Sequence, residues 1–275
     1  MDIVETDYLR LWHELAIRRE GQFSSFNDRS RARTFDTASR RKNRGRQDSL
    51  LDFVKNYIGT EDTVLDIGAG TGRWSVPLAA VVSKVTAIEP SAAMADILMQ
   101  NAREAGVADK ISLVPAIWED AEVSISDLVV CFHAIYMSAD FAAFIRKMEA
   151  HAKRACFLGV RCFTIDGVIQ ELSAKIRGVR HDSPNFIVAY NALYQMGIYA
   201  NILMEEFHQT WTDPTFESAF DRAKRHLGLQ GNQDNDALIR NVLERRLVLQ
   251  EGEYHWPDSM STALIWWKPA TKDRS

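Results

Sequence analysis

The sequence predicts an α/β protein: a doubly wound, mostly parallel sheet with a C-terminal antiparallel hairpin, a helical N-terminal segment and a helical lid insertion. Three observations carry this. Short apolar runs alternate with amphipathic helical patterns from about residue 63 to residue 162. The first two runs each meet a carboxylate, Asp66 and Glu89, on either side of a glycine cluster. The alternation stops after Phe163, and apolar runs of strand length return only near the end of the chain. Strands that alternate with helices argue for a parallel sheet covered on both faces.

The elements follow in order. Residues 4–20 place Tyr8, Leu9, Trp12 and Leu15 on one helical face. Residues 29–46 hold Arg29, Arg31, Arg33, Arg40, Arg41, Lys42, Arg44 and Arg46 against the single acid Asp36. That run reads as a solvated helix or loop surface; the sharper alternative is a contact for an anionic substrate or for RNA phosphates. It has no aromatic beyond Phe35, so base stacking is poorly supported. An apolar helix over 49–58 leads into a first strand at 63–67, a helix at 72–81 and a second strand at 84–88. Ser91 is a good N-cap for a helix that buries Met94, Ile97 and Leu98 and ends at Gly106. Strands follow at 111–115 and 127–132, then a helix marked by Phe141, Phe144, Ile145 and Met148, then a strand at 155–162. Beyond it, 164–177 and 186–206 read as helices joined by a loop with Gly178, His181, Asp182 and Pro184. Further helices at 214–228 and 234–246 precede two closing strands at 246–250 and 262–268. The division is a helical cap (1–60), a nucleotide-binding core (61–163), a helical lid or substrate region (164–245) and C-terminal strands completing the core sheet (246–275).

The stretch 64–72 reads Val-Leu-Asp-Ile-Gly-Ala-Gly-Thr-Gly, and 88–91 reads Ile-Glu-Pro-Ser. Strand, glycine turn, helix, strand and acid is the layout of a nucleotide-binding βαβ unit. A dinucleotide turn is usually spaced G-x-G-x-x-G, with pyrophosphate on the following helix N-terminus. Here Gly68, Gly70 and Gly72 alternate, and Arg73 occupies the place of that third glycine. A carboxylate at the end of the first strand repels a pyrophosphate and suits a cationic ligand. The two motifs, in this order and separation, resemble those of class I S-adenosylmethionine-dependent methyltransferases, from about residue 61 to 163 and more loosely to the C-terminus. The resemblance implies a Rossmann-like fold, S-adenosylmethionine as cofactor, and a ligand cleft beyond the carboxyl ends of the strands.

The resemblance also distributes roles. Asp66 faces the cationic parts of the cofactor, and Gly68, Ala69, Gly70 and Gly72 let the backbone approach it. Glu89, followed by Pro90, takes the two ribose hydroxyls. Ile117 and Trp118 wall the adenine, and Glu119 or a backbone group receives its exocyclic amine; the alternative for Trp118 is packing beneath the loop. Phe132 and His133, at the end of the fourth strand, face the sulfonium and the acceptor. His133 is the candidate general base because its ordinary pKa lies near neutrality; the alternative is an orienting role. Tyr136 is a second, weaker candidate. The N-terminal segment closes over the cofactor, with Tyr8, Trp12 and Arg33 near the methionine end and Arg33 pairing its carboxylate. The aromatic helix 186–206 forms a lid, with Tyr190, Tyr194 and Tyr199 lining an acceptor pocket.

Composition bounds the rest. The chain has 275 residues, 46% hydrophobic and 25% charged, with a formal net charge of −4. That charge exerts no global pull on nucleic acid or anionic membrane. The acidic N-terminus lacks a signal-peptide core, and no apolar run approaches the ~20 residues needed to span a bilayer. Cys131, Cys156 and Cys162 read as free thiols in a reducing compartment, and histidine and cysteine spacings suit no metal. The expectation is a cytoplasmic methyltransferase acting on an oxygen, nitrogen or sulfur atom of a small, partly apolar molecule, with no nucleic-acid or membrane partner. The alternatives are an RNA methyltransferase using 29–46, or a non-catalytic S-adenosylmethionine-binding regulator.

Overall fold

A computed structural model describes residues 6–18, 29–43, 48–163, 167–180, 183–205 and 209–270. Five strands form the parallel part of the sheet: β1 (Thr63–Ile67), β2 (Lys84–Ile88), β3 (Ile111–Val114), β4 (Ser126–Phe132) and β5 (Ala152–Phe163). Their bounds follow the apolar runs of the sequence closely. The main sheet runs β3-β2-β1-β4-β5-β9-β6, where β6 is Asn201–Met204 and β9 is Glu253–Trp267. Strand order reverses between β1 and β4, and the crevice beyond their carboxyl ends is where such sheets take ligands.

Residues of alternate parity face opposite layers. Leu65, Ile67, Cys131, Leu158 and Val160 join one core beneath α1 (Tyr8–Ile17), α6 (Phe141–His151) and α8 (Phe186–Gln195). Val64, Val130, Phe157 and Leu264 join the other, beneath α3 (Ser49–Lys55), α4 (Ser75–Ala79) and α5 (Ala92–Glu104). The basic run forms α2 (Arg29–Asn43), docked on α5 through Ala32 against Ala93, Met94 and Ile97. Arg29 pairs with Asp96, and Arg33 is exposed. Arg44 and Arg46 lie outside the described residues.

Two expectations need correction. The helix placed at 186–206 stops at Gln195, because Gly197 adopts φ 80° and closes a Schellman turn: Gly197 N–H donates to Tyr194 O and Ile198 N–H to Leu193 O. The remainder becomes β6, a sheet strand antiparallel to β9. The closing hairpin forms, with β8 (Val248–Gln250) turning into β9 through Glu251 and Gly252, both at positive φ. Yet β8 pairs only the start of β9, and in the main sheet that last strand lies between β5 and β6.

The lid assignment changes with it. Helix α8 buries Val188, Ala189, Ala192 and Leu193 completely and packs on α1 and β5; it is a core helix. A separate apolar cluster gathers Leu172 of α7 (Val168–Arg177), Phe220 and Leu227 of α9 (Phe216–Leu227), Val242 and Leu243 of α10 (Asp236–Arg246), and Trp256. β9 pairs with β5 only from Met260 onward. Its first residues therefore project past the carboxyl end of β5 and pair with β8 and with β7 (Gln209–Asp213). This small subdomain, rather than α8, stands at the ligand edge of the sheet. His181 and Asp182 of the expected loop lie outside the described residues. Among the described residues, no helix is long and apolar enough to cross a membrane, and no cluster of His, Cys, Asp or Glu could hold a metal ion. Burial pushes the Cys131, Cys156 and Cys162 thiols up, which disfavours the reactive thiolate.

Candidate functional site

The glycine loop is held from beneath. The N–H groups of Gly68 and Ala69 both donate to Ile88 O, at 2.9 and 3.0 Å. Gly68 has φ 71°, and a Cβ there would lie 2.2 Å from Ala134 Cβ. Only glycine lets β1 and the chain after β4 approach this closely. Gly70 differs: its φ is 57°, but a Cβ would meet nothing within 4 Å. Gly72 sits against Val76 and Leu98. One glycine thus serves close packing while another borders open space, as a backbone edge that meets a ligand would.

Two carboxylates serve this loop. Glu89, buried at the tip of β2, accepts from Gly70 N–H through Oε2 (2.8 Å) and from Ser91 N–H through Oε1 (2.9 Å). Burial raises its pKa, and the N–H donors of Ser91 and Gly70 oppose the rise. Asp66 lies deeper and accepts from Ser75 Oγ at 2.6 Å. Burial pushes its pKa from 3.8 up to about 6; the Ser75 hydroxyl counters this and the Glu89 charge adds to it.

The folded state therefore holds the Asp66 proton more tightly than the unfolded chain does. The stability linked to that proton is complete below about pH 4 and is lost as pH rises through about 6. Asp66→Asn removes the cost of the buried charge and keeps an acceptor for Ser75. It is expected to raise stability at pH 8 by about 3 kcal/mol, at ~1.4 kcal/mol per pKa unit, with little gain at pH 4. Denaturant titrations at the two pH values check this; an equal effect at both contradicts the assignment.

Around the end of β4, Phe132 lies across Gly159 of β5, where a Cβ would sit 2.1 Å from Phe132 Cδ2. Trp74 stacks on the Phe132 ring at 4.3 Å. His133 follows at φ 60°, a left-handed conformation unusual for a side-chain-bearing residue. Its Nδ1 is 3.1 Å from Tyr136 Oη and its Nε2 is 3.2 Å from Thr262 Oγ1. Arg161 N–H donates to the same Tyr136 oxygen at 2.6 Å. Burial, with the charges of Arg161 and Arg73 nearby, drives the His133 pKa well below 6.5. The imidazole is neutral, bonded at both nitrogens and a weak base, which favours orientation over proton abstraction.

Other expected positions divide. Ile117 is exposed and Pro90 is exposed beside Glu89, so both are available to a ligand. Glu119 is exposed, and its carbonyl accepts from Lys147 Nζ. Trp118 takes the second of its two readings: it turns inward, packed against α6, and donates to Phe144 O while Lys147 lies over its ring. Trp12 is a correction. It is completely buried, donates to Ser138 O and stacks near Tyr136 and Phe141. The Gln195 side chain, at the end of α8, caps the start of α1: its Oε1 accepts from Tyr8 N–H. Tyr190 donates to Ala200 O, and the exposed Tyr194 meets the exposed Tyr199 edge-on at 5.4 Å. Among the described residues, neither Tyr190 nor Tyr194 shares a hydrogen bond or ring contact with Phe132, His133 or the glycine loop. Ser75, Trp74, Arg161 and Thr262 were not singled out from the sequence. Ser75 opens the helix after the glycine loop, a weak local signal; Thr262 reaches His133 from a strand 129 residues away, which no local pattern reports.

The comparisons with known proteins agree with this layout. Residues 64–155 match a family model described as a methyltransferase domain. An uncharacterized protein of Haemophilus influenzae is 29% identical over 220 residues, spanning 76% of this chain and 77% of its own length. Among solved structures, a Bacillus halodurans protein is 15% identical with a TM-score of 0.57, covering 81% of this chain and 98% of that one. An S-adenosylmethionine-dependent methyltransferase of Geobacter sulfurreducens, solved with S-adenosylhomocysteine, is 13% identical with a TM-score of 0.51, covering 82% and 92%. At these identities the two structures speak for the fold.

Proposed function

We propose that this chain is a class I S-adenosylmethionine-dependent methyltransferase that moves the methyl group of S-adenosylmethionine to an oxygen, nitrogen or sulfur atom of a small, partly apolar acceptor. The observation that carries the reading is the loop over the end of β1: Gly70 opens on free space, with the buried Glu89 carboxylate bonded to its N–H. A cationic, hydroxyl-bearing nucleoside fits these donors and acids, whereas a pyrophosphate on the glycine turn would meet Asp66.

In this reading Glu89 holds the ribose hydroxyls with the lone pairs its backbone bonds leave free. The Gly68–Gly70 backbone and Asp66 serve the methionine end, and Ile117 covers the adenine. Phe132 and His133 border the reacting centre. The bound sulfonium supplies an electrophilic methyl, so the protein's part is to align the acceptor with it, where orientation contributes several kcal/mol. His133, neutral and fixed between Tyr136 and Thr262, helps shape that face. The subdomain of α7, α9 and α10 covers the acceptor side.

Purified protein given methyl-labelled S-adenosylmethionine and a cell extract is expected to yield a labelled small molecule by mass spectrometry. Label confined to RNA, or S-adenosylhomocysteine formed no faster than background, overturns the reading.

A further inference from the structure

Arg161 lies near the carboxyl end of β5, two residues beyond Gly159 and opposite Thr262 of β9. By strand periodicity, Phe157, Gly159 and Arg161 share one face of the sheet. Gly159 is directly paired with Phe132 and lies under its ring, so Arg161 emerges beside Phe132 and His133, past the end of β4. Its guanidinium carbon is 4.7 Å from the centroid of the Tyr136 ring. Among the described residues, no carboxylate lies within ion-pair distance of it.

A second cation flanks the same place. Arg73 lies 5.1 Å from the Phe132 centroid and is tied to Asp48 through Nη2. Its Nε is buried with no hydrogen-bond partner, and so is Nε1 of Trp74, whose ring stacks on Phe132. Asp66 and Glu89 serve the glycine loop, where the cofactor is assigned; Arg73 and Arg161 flank Phe132 and Tyr136 at the end of β4, with the buried Glu205 across Thr262 from Arg161.

A guanidinium held against an aromatic ring and lacking a carboxylate is suited to bidentate capture of a planar or tetrahedral oxyanion. We propose that the methyl acceptor carries an oxyanion, a carboxylate or a phosphate, and that Arg161 holds it at the carboxyl end of β5, with Arg73 adding positive charge. The proposal rests on the methyltransferase reading above and narrows its acceptor class.

Calorimetry on the protein, with and without saturating S-adenosylhomocysteine, tests it with benzoate, phenyl phosphate and neutral benzyl alcohol as probes. At least one anion is expected to bind ten times or more tightly than benzyl alcohol, and the better of the two identifies the oxyanion. Arg161→Gln should remove that preference, Arg161→Lys should retain part of it, and the S-adenosylhomocysteine affinity of both should stay within twofold. If Arg161→Gln does not fold, Arg161→Lys decides, through its loss of anion affinity at constant benzyl alcohol affinity. No anion preference, or one that survives substitution of Arg161, overturns the proposal. Failure of the wild type to bind S-adenosylhomocysteine strikes instead at the cofactor assignment, while the anion titrations without it still read Arg161.

Discussion

Gly68→Ala is expected to abolish measurable S-adenosylhomocysteine binding and to destabilise the fold by about 2–5 kcal/mol. The added methyl would sit 2.2 Å from Ala134 Cβ, far inside contact distance. Neither side yields easily. Gly68 and Ala69 are bonded to Ile88 O, and His133 N–H is bonded to Gly159 O just before Ala134. Left-handed backbone costs an alanine about 1–2 kcal/mol, and overpacking a tight contact costs about 1–3 kcal/mol more. Gly70→Ala is the instructive partner. Its φ of 57° carries similar strain, but its Cβ meets nothing within 4 Å. It should lose about 1–2 kcal/mol of stability and still lose binding, because the methyl enters the ligand's space. Thermal melts and calorimetry separate the two. Near-native affinity in both variants would falsify the assigned position of the cofactor.

Glu89→Ala is expected to weaken S-adenosylhomocysteine binding by about 1–3 kcal/mol, or roughly 5- to 150-fold, the scale of lost charge-assisted hydrogen bonds. Two losses combine. The proposed ribose contact goes, and so do the bonds that tie Gly70 N–H and Ser91 N–H to one carboxylate. Glu89→Gln should lose affinity as well, since its amide presents a donor to one of two N–H groups. The pH dependence has a definite sign. Burial raises the Glu89 pKa, and the binding form is the carboxylate. Affinity should therefore decline on acidification at a pH higher than an ordinary glutamate would give, and the alanine variant should lack that limb. Calorimetry between pH 5 and 8 reads this directly; a wild-type profile that matches the variant contradicts the role.

The parallel half of the fold was legible because its signals are local. Five apolar runs, the Ser91 cap with its Met94 bond and the stop at Gly106 each depend on neighbours within a few residues. The helix over 186–206 was misread because Tyr199 and Met204 extend the apolar and aromatic run of the helix past Gly197, where the backbone turns. Trp12 was misread, and Trp118 left between two readings, for a related reason. A tryptophan beside a cleft motif reads as ligand wall or as core with equal ease, and only Ser138 O and Phe144 O reveal which way each indole points.

The sequence by itself determined the sheet's leading strands, the glycine turn and the two acids that flank it, since period-two burial and backbone freedom are properties of short segments. Tertiary structure alone decided that β6 and not β8 completes the sheet, that α8 belongs to the core, and that His133 is neutral between Tyr136 and Thr262 beside Arg161. Those outcomes come from groups far apart in the chain that share a desolvated space. Charge, burial and hydrogen-bond partners there are set by packing, which no stretch of sequence carries alone.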